Sequence, residues 1–279
     1  MTGRDKKGAF PAGPIRVLYL VYWLEPGGVE SWLRNLVAHR PKNFEMCLAS
    51  YRINDEVASY YKLRKCGIHR LPRATQLLRY LLAVYRECRA WQPHIVHSNN
   101  YHAGFELWAA KLAGVGVRIA HSHSVVSAHK DQSLPARVAL CISRKLIRGY
   151  ATHGLACSEQ AAEGMFGGNW RTDSRWRVLH NGVDLREFGR PVKRGDLLRE
   201  FGLPRHAVIL AHVGRLVAEK NHDFIIKLAP KIIECVPQAY FVFVGEGEQR
   251  SRLEQLTAQM GLAERFRLPG TRSDIPRLM

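Results

Sequence analysis

Acidic residues are scarce in this 279-residue chain: 24 Asp and Glu stand against 42 Lys and Arg, a formal net charge of +18. A field of that sign draws nucleic acid, anionic lipid or phosphorylated small molecules, and does not choose among them. Further absences narrow the field. The basic residues form no long block, which argues against a disordered nucleic-acid-binding tail, and no nucleic-acid recognition motif or basic–aromatic strip is present. None of the six cysteines forms a C-x-x-C pair, so buried thiols in a reducing compartment are expected. The apolar run from Ile15 to Leu24 is too short to span a bilayer and lacks a signal-peptide cleavage pattern, which points to the cytoplasm. No G-x-G-x-x-G follows that run; Pro-Gly-Gly-Val-Glu stands there instead and tells against a dinucleotide oxidoreductase.

What is present is an alternation. Strand-like runs at 15–23, 44–51, 94–98, 117–123, 153–157 and 176–181 are interleaved with helical patterns at 29–40, 75–91, 104–114, within 135–150, and after a capping Ser158. Residues 181–206 break the rhythm with Asn-Gly, Pro191, Pro204 and many charges. It then restarts: strand 207–213, helix 222–235, strand 240–245, helix 248–260, strand 266–270. Such alternation predicts an α/β fold of parallel sheets, doubly wound and Rossmann-like. The expected organisation is a disordered lead-in over 1–14, a first domain over 15–182, a linker with a short helix over 183–206, and an incomplete second domain over 207–279. A sheet left with one flank uncovered is expected to make the C-terminal part aggregation-prone.

In open parallel sheets, ligands bind beyond the carboxyl ends of the strands. The first strand there meets Gly27 and Gly28, which either admit a ligand to the backbone and helix amides or simply make a tight turn. His97, His102, His121 and His123 crowd two further strand ends without the spacing of a structural zinc site. His121 and His123 are candidates for hydrogen bonding to a sugar, and both project to the same side of their strand. The stretch "VGRLVAEKNH" (213–222) brings Arg215, Lys220 and a possible helix-capping Asn221 to a strand end, a fit for a diphosphate. The next two strand ends carry Gly245, Glu246 and Gly247, then Thr271 and Arg272.

"PGGVES", "IVHS", "RIAHSHS", "CSE", "VLHNGVD", "VGRLVAEKN", "VGEGE" and "LPGTRSDIPRLM" fall in the order expected of retaining GT-B glycosyltransferases. From Ile15 to Met279 the chain resembles glycosyltransferase family 4, particularly its exopolysaccharide-biosynthesis branch. The resemblance implies two Rossmann-like domains across a cleft, the second holding most of a nucleotide-sugar donor. It implies donor-diphosphate contacts from Arg215, Lys220, Gly28 and Gly27, base contacts around Gly245, Glu246, Gly247, Thr271 and Arg272, and contact of His123 or His121 with the transferred sugar. It further implies a UDP-sugar donor, a lipid-linked sugar or polysaccharide acceptor, no nucleic-acid partner and no metal or other cofactor; no Asp-x-Asp occurs in the chain.

The chain departs from the family pattern where a Pro-Ser segment and a Glu-x7-Glu pair should follow. It therefore reads as C-terminally truncated, and its own activity stays open beside two alternatives: a non-catalytic binding subunit or remnant, and a basic nucleic-acid-binding protein. Family relatives work at the inner face of the cell membrane, and the stretch 136–150 sets Arg137, Arg144, Lys145 and Arg148 among apolar residues. That pattern suits either a peripheral membrane helix or a core-facing helix with solvated basic residues.

Overall fold

A computed structural model describes residues 13–124, 133–189 and 192–279, so most of the lead-in expected at 1–14 lies outside the described residues. The chain divides into two compact units, Met1–Val183 and Asp184–Met279.

The first unit runs β1 (Ile15–Leu20), β2 (Trp23–Leu24), α1 (Gly28–Ala38), β3 (Phe44–Ser50), β4 (Arg52–Ile53), α2 (Asp55–Leu63), β5 (Gly67–Arg70), α3 (Leu77–Trp91) and β6 (Ile95–Ser98). It continues with α4 (Ala103–Leu112), β7 (Val117–Ser122), α5 (Leu134–Tyr150), β8 (His153–Ala156), α6 (Glu159–Phe166) and β9 (Trp176–Val178). Its 7-stranded sheet has the order β5-β3-β1-β6-β7-β8-β9, with every neighbouring pair parallel. Strand order reverses at β1, and the connections leaving β1 and β6 part there to open a crevice at their carboxyl ends.

Side chains of β1 alternate between two apolar layers, as a strand covered on both faces requires. Leu18 and Leu20 join Val84, Val96, Leu107 and Ile147 on one face. Val17 and Tyr19 join Leu33, Val37, Leu48 and Tyr61 on the other. Ser158 caps α6 as its sequence suggests, its Oγ accepting from the Ala161 amide at 3.1 Å. The sequence patterns do not announce α2 and β5. Asn54 caps α2 by accepting from the Val57 amide at 3.0 Å, and β5 is a short edge strand with no buried residue to mark it.

The second unit runs α7 (Arg194–Glu200), β10 (Val208–Val213), α8 (His222–Cys235), β11 (Ala239–Val244), α9 (Arg250–Gln259), β12 (Phe266–Gly270) and α10 (Ile275–Leu278). Its parallel 3-stranded sheet has the order β10-β11-β12, repeating half of the first sheet's arrangement with β10 in the place of β1. The stretch expected to be a linker carries α7, and its Leu198, Phe201 and Leu203 pack with Val242 and Val244. On the opposite face Leu216, Ile226, Phe241, Phe243 and Leu253 close a second layer. Among the described residues β10 has one partner strand, and an apolar groove of about 710 Å³ lies along it, lined by Phe201, Ile209, Ala211, Val213 and Leu278 among others.

Candidate active site

At the carboxyl edge of the first sheet, Gly27 precedes α1 with φ 169°, an extended conformation open to any residue, and no side chain caps the helix. A methyl group on Gly27 would come no closer than 3.9 Å to the Glu25 carbonyl oxygen, and one on Gly28 would meet nothing within 4 Å. Neither packing nor backbone conformation therefore demands glycine at these positions. Both are exposed, beside helix amides that lack intrahelical partners.

The histidines separate by depth. His97 on β6 and His121 on β7 are buried, with His97 Nε2 and His121 Nδ1 3.1 Å apart in a hydrogen bond. His123, just past β7, is half-buried; its Nε2 donates to Asn99 Oδ1 at 2.8 Å, which leaves Nδ1 as an acceptor. Trp32 of α1 covers the group, its ring centroid 5.0 Å from that of His121 and 4.9 Å from that of His123. Tyr19 stacks on His97 at 5.0 Å. Burial, reinforced by the neighbouring imidazole of His123, pushes His97 down to about 3, and burial alone takes His123 to about 4. His121 is lowered by burial and by both neighbouring rings. The group is neutral near pH 7, able to donate and accept hydrogen bonds without carrying charge.

His102 stands apart at the start of α4, next to Phe105. Among the described residues no group of three or more His, Cys, Asp or Glu side chains is placed to hold a metal ion.

A buried carboxylate fixes the floor of this edge. Glu106, 0% exposed on α4, accepts from Ser98 Oγ, from Tyr80 Oη and, at 2.7 Å, from Asn100 Nδ2. Asn100 Oδ1 in turn accepts from the Tyr22 amide at 2.8 Å, tying the loop after β6 to the chain leaving β1. Burial raises the Glu106 carboxyl, against the lowering by its three donors. Sequence reasoning missed this network. Its one signal is a lone carboxylate in an otherwise apolar stretch, "GFELWAA".

The edge of the second sheet is built by loops that hold one another. The Leu216 amide donates to the Glu246 carbonyl at 2.9 Å, and the Gln249 amide returns to the Leu216 carbonyl at 3.0 Å. Glycine is required here. A Cβ on Gly245, whose φ is +143°, would sit 2.0 Å from the Gly214 carbonyl oxygen, and one on Gly247 would sit 2.3 Å from that of Leu216. Leu216 is fully buried, which anchors the loop between exposed Arg215 and half-buried Val217.

Arg215 and Lys220 are both exposed, and neither has an ion pair or side-chain hydrogen bond with another described residue. Lys220 folds back over the strand end: its Cδ and Cε lie 3.8 Å from where a Cβ on Gly214 would stand. Asn221 departs from its expected capping role. It takes a left-handed conformation, φ 51°, that asparagine tolerates, and its side chain makes no cap bond to α8.

Two of the remaining candidates, Glu246 and Arg272, are already engaged. Glu246 pairs with Arg250 at 2.5 Å. Arg272 pairs with Glu200 at 2.5 Å and Asp274 at 2.8 Å, and its guanidinium holds both carboxyls below their usual range. Thr271 is exposed beside it.

Comparison with known proteins bears on both edges. Residues 26–187 match the family described as Glycosyltransferase Family 4, and residues 194–279 the one described as Glycosyl transferases group 1. Over 272 residues the chain is 30% identical to EpsF of Bacillus subtilis (strain 168), itself provisionally named a glycosyltransferase, covering 95% of this chain and 70% of EpsF. It is 28% identical over 215 residues to the Escherichia coli UDP-Gal:alpha-D-GlcNAc-diphosphoundecaprenol alpha-1,3-galactosyltransferase, covering 72% of this chain and 53% of that enzyme. Among solved structures, Anabaena Alr3699/HepE in complex with UDP-glucose superposes with a TM-score of 0.77 at 19% identity, covering 95% of this chain and 71% of that one. WaaG, a glycosyltransferase involved in lipopolysaccharide biosynthesis, superposes with a TM-score of 0.72 at 16% identity over 94% of this chain and 72% of that one.

Proposed function

The chain belongs to glycosyltransferase family 4, a family of retaining enzymes with the GT-B fold, and we propose that it moves a sugar from a UDP-sugar to a lipid-linked or polysaccharide acceptor in cell-surface polysaccharide synthesis. One observation carries the reading. Arg215 and Lys220, uncommitted to any other described side chain, both follow the end of β10, with Lys220 folded over Gly214 and α8 beginning at His222. Breaking the donor's glycosidic bond places negative charge on the leaving diphosphate. Cations and helix amides already in place stabilise that charge as it forms.

The UDP-sugar donor is supported by the nucleotide in the HepE structure, and the lipid-diphosphate acceptor by the name of the Escherichia coli relative. Each speaks directly only of its own protein. For Gly27 and Gly28, the open space above their backbone supports a ligand's approach. His123 is the better sugar-contact candidate of its pair, because it is half-buried at the strand end where His121 is fully buried.

Arginine–phosphate pairing is the part most exposed to test. Arg215→Ala should lower transfer from UDP-glucose to a polyprenyl-diphosphate-linked N-acetylglucosamine by on the order of 10²-fold, with the thermal unfolding midpoint unchanged. UDP-glucose affinity undiminished in both Arg215→Ala and Lys220→Ala would refute the assignment.

The acceptor reading also places the chain at the inner face of the cell membrane. No described helix is long and apolar enough to cross a membrane. Helix α5 supports surface contact instead. Leu134, Val138 and Ile142 are 72%, 49% and 44% exposed, and Arg137 and Lys145 are exposed beside them. Ser143, one residue further, is where α5 meets α4, its Oγ accepting from the Gly104 amide at 3.1 Å. The first two turns of α5 thus precede that crossing. Binding to vesicles containing anionic lipid should weaken when Arg137 and Lys145 are neutralised; unchanged binding rejects the contact.

A further inference from the structure

Behind the two cations of the second unit lies a pair of imidazoles to which the transfer chemistry assigns no role. His212 is on β10, and His222 is the first residue of α8 and only 2% exposed. Their ring centroids are 4.3 Å apart, with the planes at 64°. Phe243 closes the far side, 5.0 Å from the His222 ring. Nδ1 of His212 and both ring nitrogens of His222 are buried without a hydrogen-bond partner among the described residues. A neutral imidazole always carries one N–H, so the pair holds buried donor capacity that no described residue satisfies.

Burial and the surrounding charges together favour the neutral form of the pair in the absence of an anion. Burial is the first cause lowering both imidazoles; Lys220 lowers both further, and His212 also lowers His222. Asp223 works the other way on His222, but is itself paired to Arg252 of α9 at 2.5 Å. His212 Cε1 and the Lys220 side chain approach the same point above Gly214, at 3.5 Å and 3.8 Å, next to exposed Arg215. One negative group at that point would lie beside the His212 ring and the Lys220 side chain, with His222 packed behind His212.

We propose that diphosphate binding at this strand end is proton-linked: as the anion arrives, the His212–His222 pair takes up one proton from solvent and completes a cation cluster with Arg215 and Lys220. The only bond formed in this step is N–H, on an imidazole nitrogen. This inference rests on reading residues 213–222 as the donor site, and it adds a control on that site. The bound diphosphate favours the charged imidazole, so the pair's affinity for protons is higher in the complex than in the free chain. Donor affinity therefore rises as pH falls, by at most about tenfold per pH unit for one proton.

The test is calorimetric titration of the chain with UDP-glucose between about pH 8 and about pH 6, the interval in which imidazoles exchange protons. Two buffers of different ionisation enthalpy are used at each pH. The diphosphate of UDP-glucose is a diester and exchanges no proton in this interval, so proton uptake reports on the protein. The expected result is net proton uptake with a Kd that falls toward low pH, both lost in His212→Asn/His222→Asn. Imidazole ¹⁵N spectra of the unsubstituted chain should show these two rings protonating on binding, independently of how the variant folds. Binding without proton uptake, or protonation at other histidines, overturns the inference and leaves the donor site standing. No binding at any pH overturns the donor site and this inference with it.

Discussion

In both units the first strand of the main sheet is a six-residue apolar run that leads, through a glycine-containing connection, into a helix: β1 into α1 and β10 into α8. Every residue of β1 except Arg16 is buried, whereas no residue of β10 is. The two strands are equally apolar, so composition does not separate them. Neighbours do. β1 is hydrogen-bonded to β3 and β6, and β10, among the described residues, to β11 alone. The consequence reaches the strand ends. Beyond β1, the Glu106–Asn100–Tyr22 links brace the edge from the β6 side. Beyond β10, support comes from the β11 side, through backbone bonds that only glycine permits.

Truncating the two strands should separate them most. Leu20→Ala, at a fully buried position, should cost the first unit about 2–5 kcal/mol in denaturant unfolding. Val213→Ala, 37% exposed, should cost under about 1 kcal/mol. An equal cost at both sites would mean that β10 is covered in solution.

Acid should weaken the first unit next. His97 and His121 have folded-state values below those of the unfolded chain, so their contribution is fully present above about pH 6.5 and drains away as pH falls toward the folded values. Each buried imidazole then costs at most about 1.4 kcal/mol per pH unit. The unfolding free energy of the first unit should decline steadily between about pH 6 and about pH 4; a flat profile would show that the imidazoles are not buried neutral.

Smaller still is the contrast between glycines. Gly245→Ala should destabilise the second unit by about 1–3 kcal/mol, because its Cβ meets backbone that must shift. Gly28→Ala should leave stability within about 1 kcal/mol of the original. A thermal shift of similar size in both would remove the argument that Gly28 serves a ligand. Finally, limited proteolysis should cut Ala207–Met279 before the first unit, as expected of a sheet with an open flank; an intact C-terminal fragment beside a digested first unit would contradict that.

Most of the fold is legible in the chain because parallel strands covered on both faces are written as short apolar runs. Residues 222–235 and 266–270 take up the expected helix and strand with the same limits. What escapes is short, or set by tertiary contact. β5 gains its place only as an edge beside β3, and although a short helix is expected within 183–206, its packing against β11 through Leu198, Phe201 and Leu203 is not, because those few apolar residues are spaced among charges. At the proposed donor site, the position of Arg215 and Lys220 between a strand and a helix is legible, because the apolar run before them and the helical pattern after them are both plain in the sequence. Arg272 has the same surface logic in sequence but is held by Glu200, more than seventy residues earlier in the chain, a pairing no local pattern records. Depth was equally hidden: two histidines two residues apart project to the same side, and only burial in the folded chain, His121 0% exposed and His123 half-buried just past β7, shows that His121 lies beneath and His123 at the rim.

The measurement that bears most directly on the donor-site assignment is amide NMR of the chain titrated with UDP-glucose. The account predicts shift changes concentrated in the second unit at Gly214–Phe224, where the strand end, the two cations and the first turn of α8 meet. Saturable shifts that leave this segment untouched, or no shifts at all, would contradict it.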